Sequence, residues 1–370
     1  MRIGIVTKWF NRGQPIVGRH LRSALGELGH ETFVLARPMK EGRRRPGLIQ
    51  RDDVWDQPEV TEASSFEVPL NEYAEWVESR GIDAIFCDQN YQFEELTALR
   101  GQGLRVIGRF VWEMFRKQHL PGALEAYDVI YSLTQCERER YRSWGLETPL
   151  VTWGCHPEVT TVERDPDPEV VRFIFPGGYL GHRKPIREVV DAFASTRNPD
   201  LRLLVKFQLE SPKHGEHLQE AAARDSRIEL LVVDQPRAEH LRTFADCHVC
   251  VTPSRWEGLG LPLFEALSFG MPIITNDNPP MNEVAIDEVN AICVTGHQDS
   301  HTKSGLPGFA PDVEEMAAAF GRLGDPAERE RLTEGAIQER ERRSWSRTVE
   351  GIAGLVEMVT PVGVSQPADR

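Results

Sequence analysis

The sequence predicts an α/β protein of two doubly wound, Rossmann-like domains whose parallel sheets face an interdomain cleft. Two observations carry that expectation. Short apolar runs of strand length alternate with amphipathic runs of helix length along the whole chain. The alternation breaks once, at the polar segment 158–169 with Pro166 and Pro168, which reads as a linker between two halves of similar design. A length of 370 residues suits two domains.

In the first half the expected strands are 3–6, 32–36, 84–87, 106–110, 129–132 and 150–153. Expected helices are 20–28, stopped by Gly29; 72–80, capped by Asn71 and closed by Gly81; and 135–144, closed by Gly145. In the second half the strands are 173–175, 201–207, 228–233, 248–252, 272–275 and 291–294, with helices over 186–195, 237–245 and 262–269. The stretches 37–69 and 296–311 read as loops. The first contains Arg43-Arg44-Arg45, which reads as a solvated basic run, and the mixed charges of 328–343 read as a solvated helix face.

Composition removes several classes of function. Lys and Arg total 43 against 57 Asp and Glu, so the net charge is −14. Such a chain is a poor general binder of nucleic acid or anionic lipid. No apolar run approaches the ~20 residues of a membrane span. Lys8 arrives too soon for the apolar region of a signal peptide, so the chain reads as cytoplasmic. Six cysteines are scattered, and Cys247 and Cys250 lack the second pair that a zinc site needs. They read as buried structural thiols.

The chemistry concentrates in 253–272. An apolar strand is followed by Gly258 and Gly260, then by Pro262 at a helix start and Gly270 at its end. The order strand, glycine loop, helix N-terminus offers unpaired N–H groups and a positive dipole end to a phosphate. Glu257 and Glu265 flank it with seven residues between them. Two acids beside a phosphate are costly unless they meet neutral hydroxyls and a cation balances the anion. A nucleotide sugar, with a pyrophosphate between two sets of hydroxyls, supplies that chemistry. Lys206, at a strand end, is an anion-binding candidate. Neither G-x-G-x-x-G nor a P-loop is present.

The segment 257–266 resembles the signature of family-4 retaining glycosyltransferases of the GT-B fold, with two glutamates separated by seven residues in a Glu-Gly-x-Gly-Leu-Pro-x-x-Glu-Ala context. The resemblance implies that Glu257 contacts the donor sugar and Glu265 the ribose. Gly258, Gly260, Leu261 and Pro262 would lie near the phosphates, with Gly178, Arg183 and Lys184 on the pyrophosphate side and Tyr179 where many relatives have arginine. Glu257, Arg183 and Lys184 would carry catalysis. Gly13, in the stretch 13–18 read as a loop, would be the remnant of the family's donor-side glycine pair. Trp112 and Glu113 stand at or beside the position of the family's usual histidine and are the acceptor-binding candidates. The segment 276–283 replaces a glycine-rich stretch and would shape the donor site.

By the same resemblance residues 1–158 recognise the acceptor and 159–344 hold the nucleotide sugar. Residues 345–370 form a helix crossing back to the first domain, then a tail. The implied reaction is retaining transfer from a nucleotide-sugar donor to a hydroxyl or amine of a soluble natural product or glycan, with no metal and no cofactor beyond the co-substrate. Two rival readings are a nucleotide-sugar epimerase or hydrolase on the same fold, and a nucleotide-sugar-binding protein without turnover.

Overall fold

The computed structural model describes residues 1–43, 45–179, 181–208 and 215–360. Arg44, Leu180 and the tail 361–370, each touched by an expectation above, lie outside the described residues. The chain divides into two compact units: Met1–Leu133 with Glu137–Thr152 and the helix after Trp345, and Thr134–Cys136 with Trp153–Trp345.

The first unit runs β1 (Arg2–Lys8), α1 (Gly13–Glu27), β2 (Glu31–Arg37), β3 (Val60–Glu62), α2 (Leu70–Arg80), β4 (Ala84–Asp88), α3 (Phe93–Gly101), β5 (Arg105–Arg109), α4 (Leu120–Ala126), β6 (Val129–Ile130) and α5 (Gln135–Arg142). Its strands form one parallel sheet in the order β3-β2-β1-β4-β5-β6. The central strands are buried on both faces, which is why they read as continuous apolar runs. Gly4 in β1 lets α2 lie close: a Cβ there would stand 2.4 Å from Trp76 Cη2.

Four local expectations change. Residues 13–18 are the start of α1, not a loop: Pro15 has a φ that suits a first turn, and Pro15, Ile16, Val17 and Gly18 are buried. Asn71 does not cap α2; Pro69 takes that position, while Gly81 closes the helix at φ 58° as expected. The loop 37–69 contributes β3 to the sheet edge, and 150–153 is no strand, only the single bridge Ser132–Leu150. Helix α4 hides behind Pro121-Gly122, where Pro121 fits the first turn.

The second unit runs α6 (Pro157–Thr160), β7 (Val171–Gly178), α7 (Ile186–Ser195), β8 (Leu201–Phe207), α8 (Gly215–Arg224), β9 (Ile228–Val232), α9 (Arg237–Ala245), β10 (Val249–Val251), α10 (Leu261–Ser268), β11 (Ile273–Asn276), β12 (Ala291–Val294), β13 (Gly296–His301), β14 (Pro307–Pro311), α11 (Val313–Arg322) and α12 (Pro326–Arg342). Its parallel sheet has the order β12-β11-β10-β7-β8-β9. Counted from each unit's own first strand, both sheets follow the doubly wound order 3-2-1-4-5-6. The core gathers Phe173, Phe193 and Phe320, whose rings meet edge to face at 4.9 to 6.3 Å.

Here too some expectations change. The segment 158–169 is not a free linker: α6 covers its start, and Arg164 donates to the carbonyls of Phe269 and Cys247 at 2.8 Å each. The stretch 296–311 is the antiparallel hairpin β13–β14. Helix α12 is solvated on one face only; Leu332, Gly335 and Ala336 are buried, and Gly335 lies against the backbone of Val289. The final helix, α13 (Trp345–Val359), packs into the first unit, where Thr348 Oγ1 donates to Thr152 O at 2.9 Å. No helix among the described residues is long and apolar enough to cross a membrane.

Candidate active site

In a doubly wound sheet the loops leaving the two central strands part in opposite directions, and the crevice outside their carboxyl ends receives ligands. In the second unit those strands are β7 and β10. The loop after β7 carries Arg183 and Lys184, and the loop after β10 carries Ser254 and Glu257. The structure joins them. Glu257 Oε1 accepts from Lys184 Nζ at 2.8 Å and from Ser254 Oγ at 2.7 Å, and its Oε2 accepts from Arg183 Nη1. Lys184 Nζ also donates to Ser254 Oγ at 2.9 Å. Lys184 and Glu257 are 4% and 5% exposed.

Burial opposes the charge on Glu257, yet Arg183, Lys184 and the Ser254 hydroxyl together hold its pKa down at about 2. Burial lowers the pKa of Lys184, with Glu257 working the other way. Two cations face one carboxylate in this corner. Beside it Gly260 adopts φ 82°, and α10 starts at Leu261 with Pro262 in its first turn. A Cβ on Gly260 would stand 2.8 Å from Leu263 Cδ1, so the tight turn aiming the helix N-terminus needs glycine. Gly178 ends β7 at φ 56°.

Glu265 lies on α10 as expected and heads a second cluster. Its Oε1 accepts from Arg237 Nη1 at 2.6 Å, and His240 Nε2 lies 3.5 Å from its Oε2. Arg237 Nε donates to Glu158. Against the cost of burial, Arg237 and His240 hold Glu265 at about 2. Lys206, at the end of β8, is 5% exposed and makes no hydrogen bond or ion pair among the described residues. Burial lowers its pKa while Glu265 and Asp234 oppose the shift.

Arg255 ties the site's loops together. Its backbone N–H donates to Arg183 O at 2.9 Å and its Nη1 to His182 O at 3.0 Å. Its Nε donates to Asp299 Oδ2 on β13 at 2.7 Å, and its Nη2 to Glu188 on α7. Sequence reasoning missed Ser254, Arg255, Arg237 and Asp299. Only Ser254 and Arg255, next to the glycine loop, carried a positional signal; Arg237 and Asp299 are brought in by topology. Gly13, Trp112 and Glu113 stand in the first unit. Gly13 opens α1, and Trp112 is buried in the turn after β5 with its backbone amide donating to Glu137. Cys247 and Cys250 are buried and not disulfide-bonded, and burial raises both pKa values.

Two doubly wound units of matching strand order, with the Arg183–Lys184–Glu257 cluster at one switch point, define a GT-B architecture of the kind found in glycosyltransferases. Residues 164–307 match the family model of glycosyl transferases, group 1. A curated relative, the D-inositol 3-phosphate glycosyltransferase of Acidothermus cellulolyticus, is 31% identical over 107 residues, covering 29% of this chain and 21% of its own length. The sucrose-phosphate synthase of Thermosynechococcus elongatus shares the fold with a TM-score of 0.73 at 16% identity, over 97% of this chain and 99% of that one. HepE of Anabaena, solved with UDP-glucose, gives 0.71 at 14% identity, over 96% and 99% of the two chains.

Proposed function

We propose that the protein transfers a sugar from a nucleotide-sugar donor to an acceptor hydroxyl, with retention at the anomeric carbon. The observation that carries this reading is the Arg183–Lys184–Glu257 cluster at the β7/β10 switch point, beside the N-terminus of α10. Its two cations suit a pyrophosphate, and the positive dipole end of α10 adds to them. Glu257 and Glu265, both held ionised, accept hydrogen bonds from hydroxyls on the two sides of that pyrophosphate, those of the donor sugar and of the ribose.

In the reaction the bond from the anomeric carbon to the diphosphate oxygen breaks and a bond to the acceptor oxygen forms on the same face. The acceptor's proton passes to a donor phosphate oxygen, so no side-chain base is required. Arg183, Lys184 and the α10 N–H groups stabilise the charge that grows on the departing nucleoside diphosphate. The carboxylate-pair geometry of glycosidases does not apply.

Calorimetric titration with UDP, GDP, ADP and TDP tests the donor site. One nucleotide should bind, and Lys184→Ala should abolish binding. UDP goes first, because HepE was solved with it. The matching nucleotide sugars, incubated with and without acceptors, test the chemistry by product analysis. Consumption that never depends on an acceptor would replace transfer by hydrolysis or epimerisation.

A further inference from the structure

The first unit has its own switch point, between β1 and β4, and charges line it. Strand register pairs Lys8 of β1 with Arg37 of β2, and Asp88 of β4 with Arg109 of β5. Four neighbouring strands thus end in a row of four ionisable residues on the carboxyl edge.

Half of this row is neutralised. Arg109 lies 3.8 Å from Asp88 Oδ1 and 3.6 Å from Glu137 Oε2. The other half is not. Arg37 is 3% exposed, yet no carboxylate among the described residues lies within 4 Å of it. Its Nε donates to Phe66 O at 2.6 Å, and its guanidinium carbon sits 4.1 Å from the centre of the Phe66 ring. Lys8 donates to the neutral Gln14 Oε1 at 3.0 Å. Lys8 and Lys40 lie 5.6 and 5.3 Å from that same ring. Of the three cations gathered on Phe66, only Lys40 has an acid partner, the exposed Glu67. Burial brings the Lys8 amine down to about 8, Arg37 and Arg43 push it the same way, and Asp88 opposes them. A ring face attracts a cation but carries no net charge to neutralise it. In a chain of net charge −14 this is a local excess of positive charge.

Asp88 stands next to that excess, 6% exposed, and neither of its carboxylate oxygens makes a hydrogen bond of normal length. Gln14 Nε2 donates instead to its backbone oxygen, at 3.1 Å. A buried carboxylate in this position is costly until a donor reaches it. Uncompensated cations beside a hydroxyl-accepting carboxylate match one kind of molecule, a polyol carrying a dianion.

We propose that Lys8, Arg37 and Asp88 form a binding site for a phosphorylated sugar or polyol, the acceptor of the transfer. The acceptor role rests on the transferase reading above. Lys8 and Arg37 take the phosphate, for which a fork and a point charge are the usual donors. Asp88 accepts from a ring hydroxyl. Arg43, in the run read from the sequence as a solvated loop, adds long-range charge.

The test is titration of the full chain with glucose 6-phosphate and myo-inositol 1-phosphate, their neutral parents, glucuronate and inorganic phosphate, each with and without UDP. The proposal expects a sugar phosphate to bind at least about tenfold more tightly than its parent, a charge-assisted difference. Lys8→Gln and Arg37→Gln should each remove that difference while UDP affinity stays the same. Asp88→Asn should weaken the sugar phosphates and spare inorganic phosphate. Lys8 is only half-buried, so its variant keeps the test open if the Arg37 variant does not fold. Sugar phosphates no tighter than their parents, tighter binding of glucuronate, or binding untouched in Lys8→Gln would each overturn the site. UDP binding without sugar-phosphate binding would sink this inference and leave the transferase reading standing. Sugar-phosphate binding without any nucleotide binding or turnover would keep the anion site and sink its role as acceptor site.

Discussion

Asp299 on β13 holds Arg255 Nε at 2.7 Å, and Arg255 braces both loops of the donor cluster, through His182 O and through its own backbone bond to Arg183 O. A hairpin that lies outside the main sheet thereby fixes the spacing of Arg183 and Glu257. Asp299→Ala should weaken nucleotide binding by about tenfold, the effect of losing one charge-assisted bond in a positioning shell. The effect stays partial because Glu188 still holds Arg255. Titration alongside thermal unfolding checks it: an unchanged Kd in a normally folded variant would show that the hairpin does not position the site.

Lys184 and Glu257 test the cost of a buried pair. Removing one partner leaves the other charged in a dry setting, at about 3–5 kcal/mol. Arg183 and Ser254 remain with Glu257, so Lys184→Met should fall at the low end of that range. The double variant Lys184→Met with Glu257→Gln should recover part of the stability while nucleotide binding and turnover stay lost. Chemical denaturation of the four proteins measures the coupling. Strict additivity of the two single effects would deny the pair an energetic role.

Much of this site was legible in the sequence, and the reason is physical. Gly260, Pro262, Glu257 and Glu265 belong to one continuous strand, turn and helix whose local rules fix their placement. Arg183 and Lys184 came from the family resemblance, which puts cations on the pyrophosphate side. Arg237 and Glu158 were illegible because 28 and 107 positions separate them from Glu265, and only the winding of the sheet brings them to it. Apart from the half-exposed edge strand β3, the strands of both sheets were visible as apolar runs because parallel strands bury both faces. The hairpin β13–β14 was not, since its strands are half exposed and rich in Gly, Ser and His. The row Lys8, Arg37, Asp88 and Arg109 was hidden for another reason: each residue ends its own strand, and only register aligns them.

Acid stability follows from Glu257. Its pKa falls from 4.5 to about 2 on folding. A depressed carboxylate contributes stability above its unfolded pKa, and the contribution disappears as pH falls through the folded value. The gain is on the order of 3 kcal/mol at neutral pH. The stability difference between the natural protein and Glu257→Gln should therefore be full above about pH 5 and shrink steadily toward pH 2. Denaturant midpoints across that range read it directly, and a pH-independent difference would mean that the ion cluster is not holding the carboxylate down.

Breaking the Glu265–Arg237 pair should bring the same acid sensitivity to nucleotide binding. Arg237 sits between two carboxylates, at 2.6 Å from Glu265 Oε1 on one side and bonded to Glu158 on the other. Burial alone would raise the pKa of Glu265; Arg237 is the main force against it, with His240 second. Arg237→Met removes that force and leaves Glu158 as a like charge, so burial should drive the pKa of Glu265 upward with His240 left to oppose it. A protonated Glu265 has lost the full acceptor capacity that a ribose diol requires. The natural protein should bind its nucleotide with a flat pH profile between pH 5 and pH 8 as far as Glu265 is concerned, because this carboxylate titrates near 2. In Arg237→Met the affinity should fall as pH drops through that window and recover toward pH 8. Titrations at four pH values distinguish this from simple loss of packing, which would lower affinity equally at every pH.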